Sequence, residues 1–359
     1  MHTQSKFRLL VVRLGAMGDI LHALPAVTAL RQAHPHWVID WVVEPRWSAL
    51  LAVPGTVERG TETPPAAMPV VDRLHFAPTR DWRRKTLSLN TLREIRALRR
   101  RLRAGGYDAV LDLQGAIRSA VVGRMAGSQR LIGEAEPRER AARWLFSECV
   151  ATRGAHVIEQ DVELAARIAG DELRPIAPLL PVDPGAEAWC DRLLASSGTR
   201  PVALLNPGAG WGAKRWPVER FAAVARGLIA RGFRVLVNAG PGEEPMADMI
   251  VKDASGAAIP LATSLTQLIA LTRRIALCVA GDTGPLHLAC ALGRPVVGIY
   301  GPTDPSRNGP FGTRFRVLRS PASKRDHTRH AEPEAGLLTI DPEDVLKAAE
   351  EVLAGETAL

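Results

Sequence analysis

Residues 276–305 read ALCVAGDTGPLHLACALGRPVVGIYGPTDP: a strand, a glycine turn, a short helix and a second strand. The run 277–280 is apolar, as a buried strand is. Gly281-Asp282-Thr283-Gly284-Pro285 is a tight turn rich in helix-starting residues. Thr283 or Gly284 suits the N-cap, and Pro285 suits the first helical position. Leu286, Leu288, Ala289 and Leu292 then predict a short amphipathic helix, stopped by Gly293. Residues 295–300 are a second apolar, β-branched run, closed by Gly301-Pro302. So short a βαβ unit allows only tight parallel pairing. It also sets the N–H groups of a helix start beside the C-terminal edge of a strand, where open α/β sheets bind phosphates.

The same pattern recurs outward from this unit. Towards the N-terminus, 202–205 predicts a strand that runs into Asn206-Pro207-Gly208-Ala209-Gly210 and then WGAKRWP over 211–217. A helix with Phe221, Val224, Ala225 and Leu228 on one face follows, then a strand over 235–238. After it comes a loop, Ala239-Gly240-Pro241-Gly242-Glu243-Glu244, and a helix over 265–272. The first half opens with a strand at 8–13 and the turn Gly15-Ala16-Met17-Gly18-Asp19. A helix through Leu30 follows, which Pro25 should kink, and then a strand at 37–43. A GxxGD turn is not the GxGxxG of a dinucleotide site, which weakens a dehydrogenase reading. Residues 92–102 predict a basic helix and 107–113 a strand, with further helices through Arg124 and over 156–168.

Pro175, Pro178, Pro181 and Pro184 mark an interdomain linker. Two blocks of alternating strands and helices predict two doubly wound, Rossmann-like α/β domains facing across a cleft. The expected division is an N-terminal domain over 1–174, a linker over 175–184, a C-terminal domain over 185–340 and a terminal helical segment over 341–359.

Composition narrows the function classes. The chain has 359 residues, 46% of them hydrophobic, and no apolar run as long as a membrane span. Its basic N-terminus carries too short an apolar run for a secretory signal. Cys149, Cys190, Cys278 and Cys290 form no CxxC pair and read as structural thiols. The net charge is +8 and uneven: between Arg73 and Arg103, eleven Lys and Arg face only Asp81 and Glu94. That run is either a solvated helix face or a surface for an anionic partner such as nucleic acid, a membrane or a phosphorylated substrate.

Each candidate residue has a structural and a chemical reading. Lys214 lies just past a glycine turn, as a surface lysine or a charge within reach of a phosphate. Glu243 is a helix-dipole carboxylate or an acceptor for ribose hydroxyls. Asp282 and Thr283 are capping residues or parts of the phosphate turn. His287 is a structural histidine or a ligand-facing one. Asp19 is an N-cap or a general base.

RLGAMGDILHALPAVTALR, YDAVLDLQG, WGAKRWP, NAGPGEE and AGDTGPLHLACALGRPVVGIYGPTDP together resemble the bacterial heptosyltransferases of glycosyltransferase family 9. WVIDWVVEP and YDAVLDLQGAIRSA look more like heptosyltransferase I than II, whereas the 206–210 turn is closer to the II style. The resemblance implies a GT-B fold, an ADP-heptose donor in the C-terminal domain and a Kdo–lipid A acceptor at the N-terminal one. It also implies inverting transfer without an obligatory metal or cofactor, by a cytoplasmic protein peripheral on the inner membrane surface. By position, Asp19 matches the family's catalytic base, Lys214 its donor-phosphate lysine and Glu243 its ribose carboxylate. Asp282, Thr283, Gly284 and His287 match the donor turn. The resemblance gives Arg96, Arg99, Arg100 and Arg103 an anionic glycolipid acceptor to bind. The alternatives are a sugar-nucleotide epimerase or another nucleotide-sugar transferase on the same fold. A nucleic-acid-binding protein is suggested only by the pI near 9.8, with no recognition motif beside it. The stretch 320–336 carries none of these motifs and is left unplaced.

Overall fold

The computed structural model describes residues 6–85, 88–195, 198–326 and 330–355; positions 327–329 of the polar stretch and 356–359 of the terminal segment lie outside them. The chain divides into two compact units, Met1–Pro181 and Val182–Leu359. The first contains β1 (Arg8–Val12), α1 (Met17–Ala33), β2 (Val38–Val43), β3 (Arg73–Phe76), α2 (Thr79–Arg84) and α3 (Leu89–Ala104). It continues with β4 (Ala109–Asp112), α4 (Ile117–Met125), β5 (Leu131–Glu134), β6 (Glu148–Val150) and α5 (Val157–Ala169). Its six strands are parallel, in the order β3-β2-β1-β4-β5-β6.

The second unit contains α6 (Pro184–Leu194), β7 (Val202–Asn206), α7 (Val218–Ala230), β8 (Arg234–Ala239), α8 (Glu244–Asp253) and β9 (Ile259–Ala262). Then come α9 (Leu265–Thr272), β10 (Leu277–Gly281), α10 (Gly284–Ala291), β11 (Val296–Tyr300), α11 (Pro305–Asn308), β12 (Phe315–Arg319) and α12 (Pro342–Ala354). Its sheet is also parallel, in the order β12-β11-β10-β7-β8-β9. In each sheet the chain reverses its direction of winding at the central pair, β1/β4 or β7/β10. At such a switch point the loops diverge to opposite faces and leave room for a ligand at the carboxyl ends of the strands.

Apart from Arg8 at the start of β1, the central strands are fully buried, which is why they read as continuous apolar runs rather than alternating ones. In the second unit α7, α8 and α12 cover one face around Phe221, Leu228, Ile250 and Val345. In the first, α3 and α4 cover one face with Leu98, Leu102, Ala120 and Val122.

The structure corrects several local expectations. α10 is not amphipathic: Leu286 through Cys290 are all buried, because the helix is packed on every side. Pro285 occupies its second position, since Gly284 already has helical geometry. α1 runs through Pro25 as one helix. Pro184 opens α6 with Asp183 as its cap, so it belongs to a helix and not to a linker. The strands β3, β5, β6, β9 and β12 were not expected. They are three to five residues long and include polar or half-exposed positions, such as the alternating burial of β9, so no continuous apolar run marks them.

Candidate functional site

The donor-type candidates gather at the β7/β10 switch point. Lys214 ends a 3-10 turn, Gly212–Lys214, on the β7 side. Asp282 follows β10. The Lys214 ammonium hydrogen-bonds Oδ2 of Asp282 and approaches its backbone carbonyl at 3.4 Å. The other carboxylate oxygen, Oδ1, lies 3.1 Å from Nε2 of His287, one turn into α10. All three side chains are largely buried. Burial alone would push the Asp282 carboxyl up. The His287 hydrogen bond and the Lys214 charge outweigh it and hold the group well below the usual carboxylate range. Asp282 therefore stays ionised and fixes the ammonium in place. Lys214 also sits 5.3 Å over the Trp211 ring, a cation–π contact.

Thr283 is the N-cap residue of α10 but does not cap it with its side chain; its hydroxyl donates back to the Gly281 carbonyl at 3.2 Å. Asp282, committed to Lys214 and His287, takes over no such role. The start of α10 thus keeps N–H groups oriented for an outside anion, beside a fixed lysine.

Glu243 is the N-cap residue of α8, and its Oε2 accepts the Gly240 N–H at 3.0 Å. Its position depends on Gly208: a Cβ there would lie 1.9 Å from Oε2. Asn206, Asn238 and Thr263 form a hydrogen-bonded row beneath, at 3.0 and 2.7 Å, across the carboxyl ends of β7 and β8. Glu243 therefore belongs to the same sheet edge as Lys214 and Asp282.

The stretch 320–336, which carries none of the recognised motifs yet lies inside the family match, is built into this site. The Ala213 N–H donates to the His330 carbonyl at 3.1 Å, and the Glu334 N–H to the Ala213 carbonyl at 3.2 Å. Glu334 is held in turn by Ser323. A Cβ on Gly212 would strike the Ala331 carbonyl oxygen at 1.5 Å. The chain on either side of 327–329 therefore buttresses the turn that carries Lys214.

In the first unit Asp19 is not the N-cap. α1 starts at Met17, which makes Ala16 the cap residue and puts Asp19 in the first turn, where its Oδ2 accepts the Ala16 N–H at 2.8 Å. Its Oδ1 pairs with Arg13 Nη2 at 3.2 Å, and a third of the side chain remains exposed. The sequence reading passed over Arg13. A charged residue directly after the apolar run of β1 was the available signal. Beside it, the Gln114 side chain accepts the Leu14 N–H at 2.8 Å, tying the β1 and β4 turns together.

Arg96, Arg99, Arg100 and Arg103 are exposed along α3, opposite the buried Leu98 and Leu102. The end of α3 is tied to the start of β1 by Arg8 and Gly105. Arg103 thus lies towards the sheet edge opposite Asp19, about 20 Å along the helix from its beginning. The structure does not bring the end of this run to the Asp19 turn.

The model of glycosyltransferase family 9 (heptosyltransferase) matches residues 95–337. Lipopolysaccharide heptosyltransferase 1 of Escherichia coli K12 is 30% identical over 88% of this chain and 94% of its own length. The Pseudomonas aeruginosa protein of the same name is 28% identical over 85% and 81%. Among solved structures, E. coli heptosyltransferase WaaC with ADP-2-deoxy-2-fluoro heptose superposes with a TM-score of 0.74 at 28% identity. The match covers 96% of this chain and 99% of that one. Likeness of this extent gives the chain the GT-B fold.

Proposed function

The chain belongs to glycosyltransferase family 9, and from that premise we infer that it transfers heptose from ADP-heptose to the Kdo-bearing inner core of lipopolysaccharide. The observation that carries the donor half is the buried Lys214–Asp282–His287 array at the uncapped start of α10. An ammonium has three N–H donors. Asp282 anchors Lys214 without using them all, leaving it able to meet a diphosphate whose other oxygens take the N–H groups of α10. Glu243, at the same edge, is suited to accept from the adenosine ribose hydroxyls. ADP leaves with the electrons of the broken anomeric C–O bond, and the lysine and helix start stabilise the charge that develops on it.

Asp19 is the proposed base. It takes the proton of an acceptor hydroxyl as that oxygen attacks the anomeric carbon from the face opposite ADP, so the configuration inverts. Arg13 and the Ala16 N–H orient the carboxylate and leave acceptor capacity on both oxygens. Arg96, Arg99, Arg100 and Arg103 act at longer range, drawing an anionic glycolipid towards the first unit. An acceptor carried by a lipid places the enzyme at the inner face of the cytoplasmic membrane as a peripheral protein.

The test is a transfer assay with purified protein, a panel of ADP-, UDP- and GDP-sugars, and Kdo–lipid A. Turnover with ADP-heptose only when acceptor is present is the expected result. Consumption of the donor without acceptor would identify an epimerase. Preference for a UDP- or GDP-sugar would overturn the donor assignment.

A further inference from the structure

Ile117, Val121 and Trp144 stand in water at 44%, 41% and 83% exposure. They come from two segments that run side by side, α4 and the 3-10 turn Arg140–Leu145. At one end the Ile117 N–H donates to Glu139 Oε2 at 2.9 Å; at the other, Arg124 Nε donates to the Leu145 carbonyl at 2.5 Å. Arg118, Arg124, Arg138, Arg140 and Arg143 are exposed on the same two segments and the loop that joins them. The acidic side chains there are Glu134, Glu136 and Glu139, and Glu139 is bound to the Ile117 N–H.

A scattered exposed leucine needs no partner. An indole and two β-branched side chains exposed on two neighbouring segments, with five exposed guanidinium groups on those segments and the loop that joins them, match the chemistry of a bilayer interface. The indole settles at headgroup depth, the aliphatic groups reach the acyl boundary, and arginines meet lipid phosphates. The face also lies in a useful place. α4 starts three residues after Gln114, which binds the Leu14 N–H at the carboxyl edge of the sheet, and the Asp19 turn follows β1 at that edge.

We propose that the face made by α4 and Arg140–Leu145, centred on Trp144, docks the protein on an anionic lipid bilayer. Docking there sets the Asp19 edge beside the headgroup layer. The proposal rests on the reading above in one respect, that the acceptor is carried by a lipid. Binding to plain vesicles requires neither donor nor acceptor, so the two readings can fail separately.

The experiment is co-sedimentation of the full chain with phosphatidylcholine vesicles, with and without phosphatidylglycerol. The chain should pellet with the anionic vesicles, and less so as salt screens the arginines. Trp144→Ala should reduce the partition coefficient several-fold. Arg140→Gln and Arg143→Gln should each reduce it about five-fold. Met249→Ala, which removes an exposed apolar side chain from the second unit, should leave it unchanged. Melting curves of the variants should overlay that of the wild type, because the altered side chains are exposed. A wild-type chain that stays in the supernatant, or Trp144→Ala binding as well as wild type, overturns the proposal. So does a vesicle-free dimer that Trp144→Ala dissociates, which would assign the face to a second copy.

Discussion

At the scale of single residues, charges at both sites are placed by partners. Lys214→Ala removes the cation facing Asp282, and breaking a buried pair from one side costs about 3–5 kcal/mol. A melting shift alone therefore does not identify a donor lysine. The double variant Lys214→Ala/Asp282→Ala should recover part of that stability, while ADP affinity stays low in both; recovery of ADP binding in the double variant would refute the phosphate role. Asp19→Asn keeps an oxygen for the Ala16 N–H but cannot accept a proton. It should lower kcat by roughly 10²–10⁴-fold. A modest loss of stability should accompany it, because Arg13 is left facing a neutral amide. Arg13→Gln should keep most of the turnover, since the carboxylate survives. Near-wild-type turnover in Asp19→Asn would place the base elsewhere. Asp112 sits at the end of β4, fully buried, with its Oδ1 accepting the Gln114 and Gly115 N–H groups. Burial raises its carboxyl from 3.8 to about 6, against the lowering effect of those hydrogen bonds. Between those two values the folded state binds the proton that the unfolded chain releases. The acid form's contribution, full below 3.8, is thus lost as pH rises through 6 and amounts to about 3 kcal/mol. Denaturant melts at several pH values should show Asp112→Asn gaining on wild type across that window. Parallel curves would contradict it.

At the scale of elements, helix starts and turns do the positioning. The helix start of α10 was legible from GDTGPLH because glycine, threonine and proline leave a local signature wherever a strand hands over to a helix. Its burial was not legible, since burial on all sides depends on neighbours distant in sequence. The same holds for the Lys214 turn. WGAKRWP announces a turn, but the backbone bridge from His330 and Glu334 crosses more than a hundred residues of chain. Gly212→Ala should force that bridge apart, because its Cβ has no room beside Ala331. The expected result is a raised ADP-heptose KM with a smaller change in acceptor KM. Unchanged donor KM would mean that the bridge is structural only. The α3 arginines show the converse limit. Their spacing reveals one exposed helical face, but helix length and direction carry the last of them away from the Asp19 edge.

At the scale of the whole molecule, the two units carry parallel sheets with the same winding. If the second unit holds the donor, ADP at a hundred times its Kd should stabilise the protein by about 2.7 kcal/mol. Amide exchange should slow at 206–214, 239–244 and 281–287, and not at 15–20. Protection confined to 15–20 would reverse the assignment of the units. The sequence by itself determined the α/β class, the two repeats of the pattern and the residue types at the strand-to-helix turns. Those features are local: apolar runs, glycine turns and caps act over a few residues, and the family's motifs coincide with them. Only the tertiary structure decided which turns share an edge. Strand order, and with it the meeting of Lys214 with Asp282, is set by packing between segments far apart in the chain. The short strands β3, β5, β6, β9 and β12 exist only through pairing with a neighbour already in place, because three to five half-polar residues cannot hold an extended form alone.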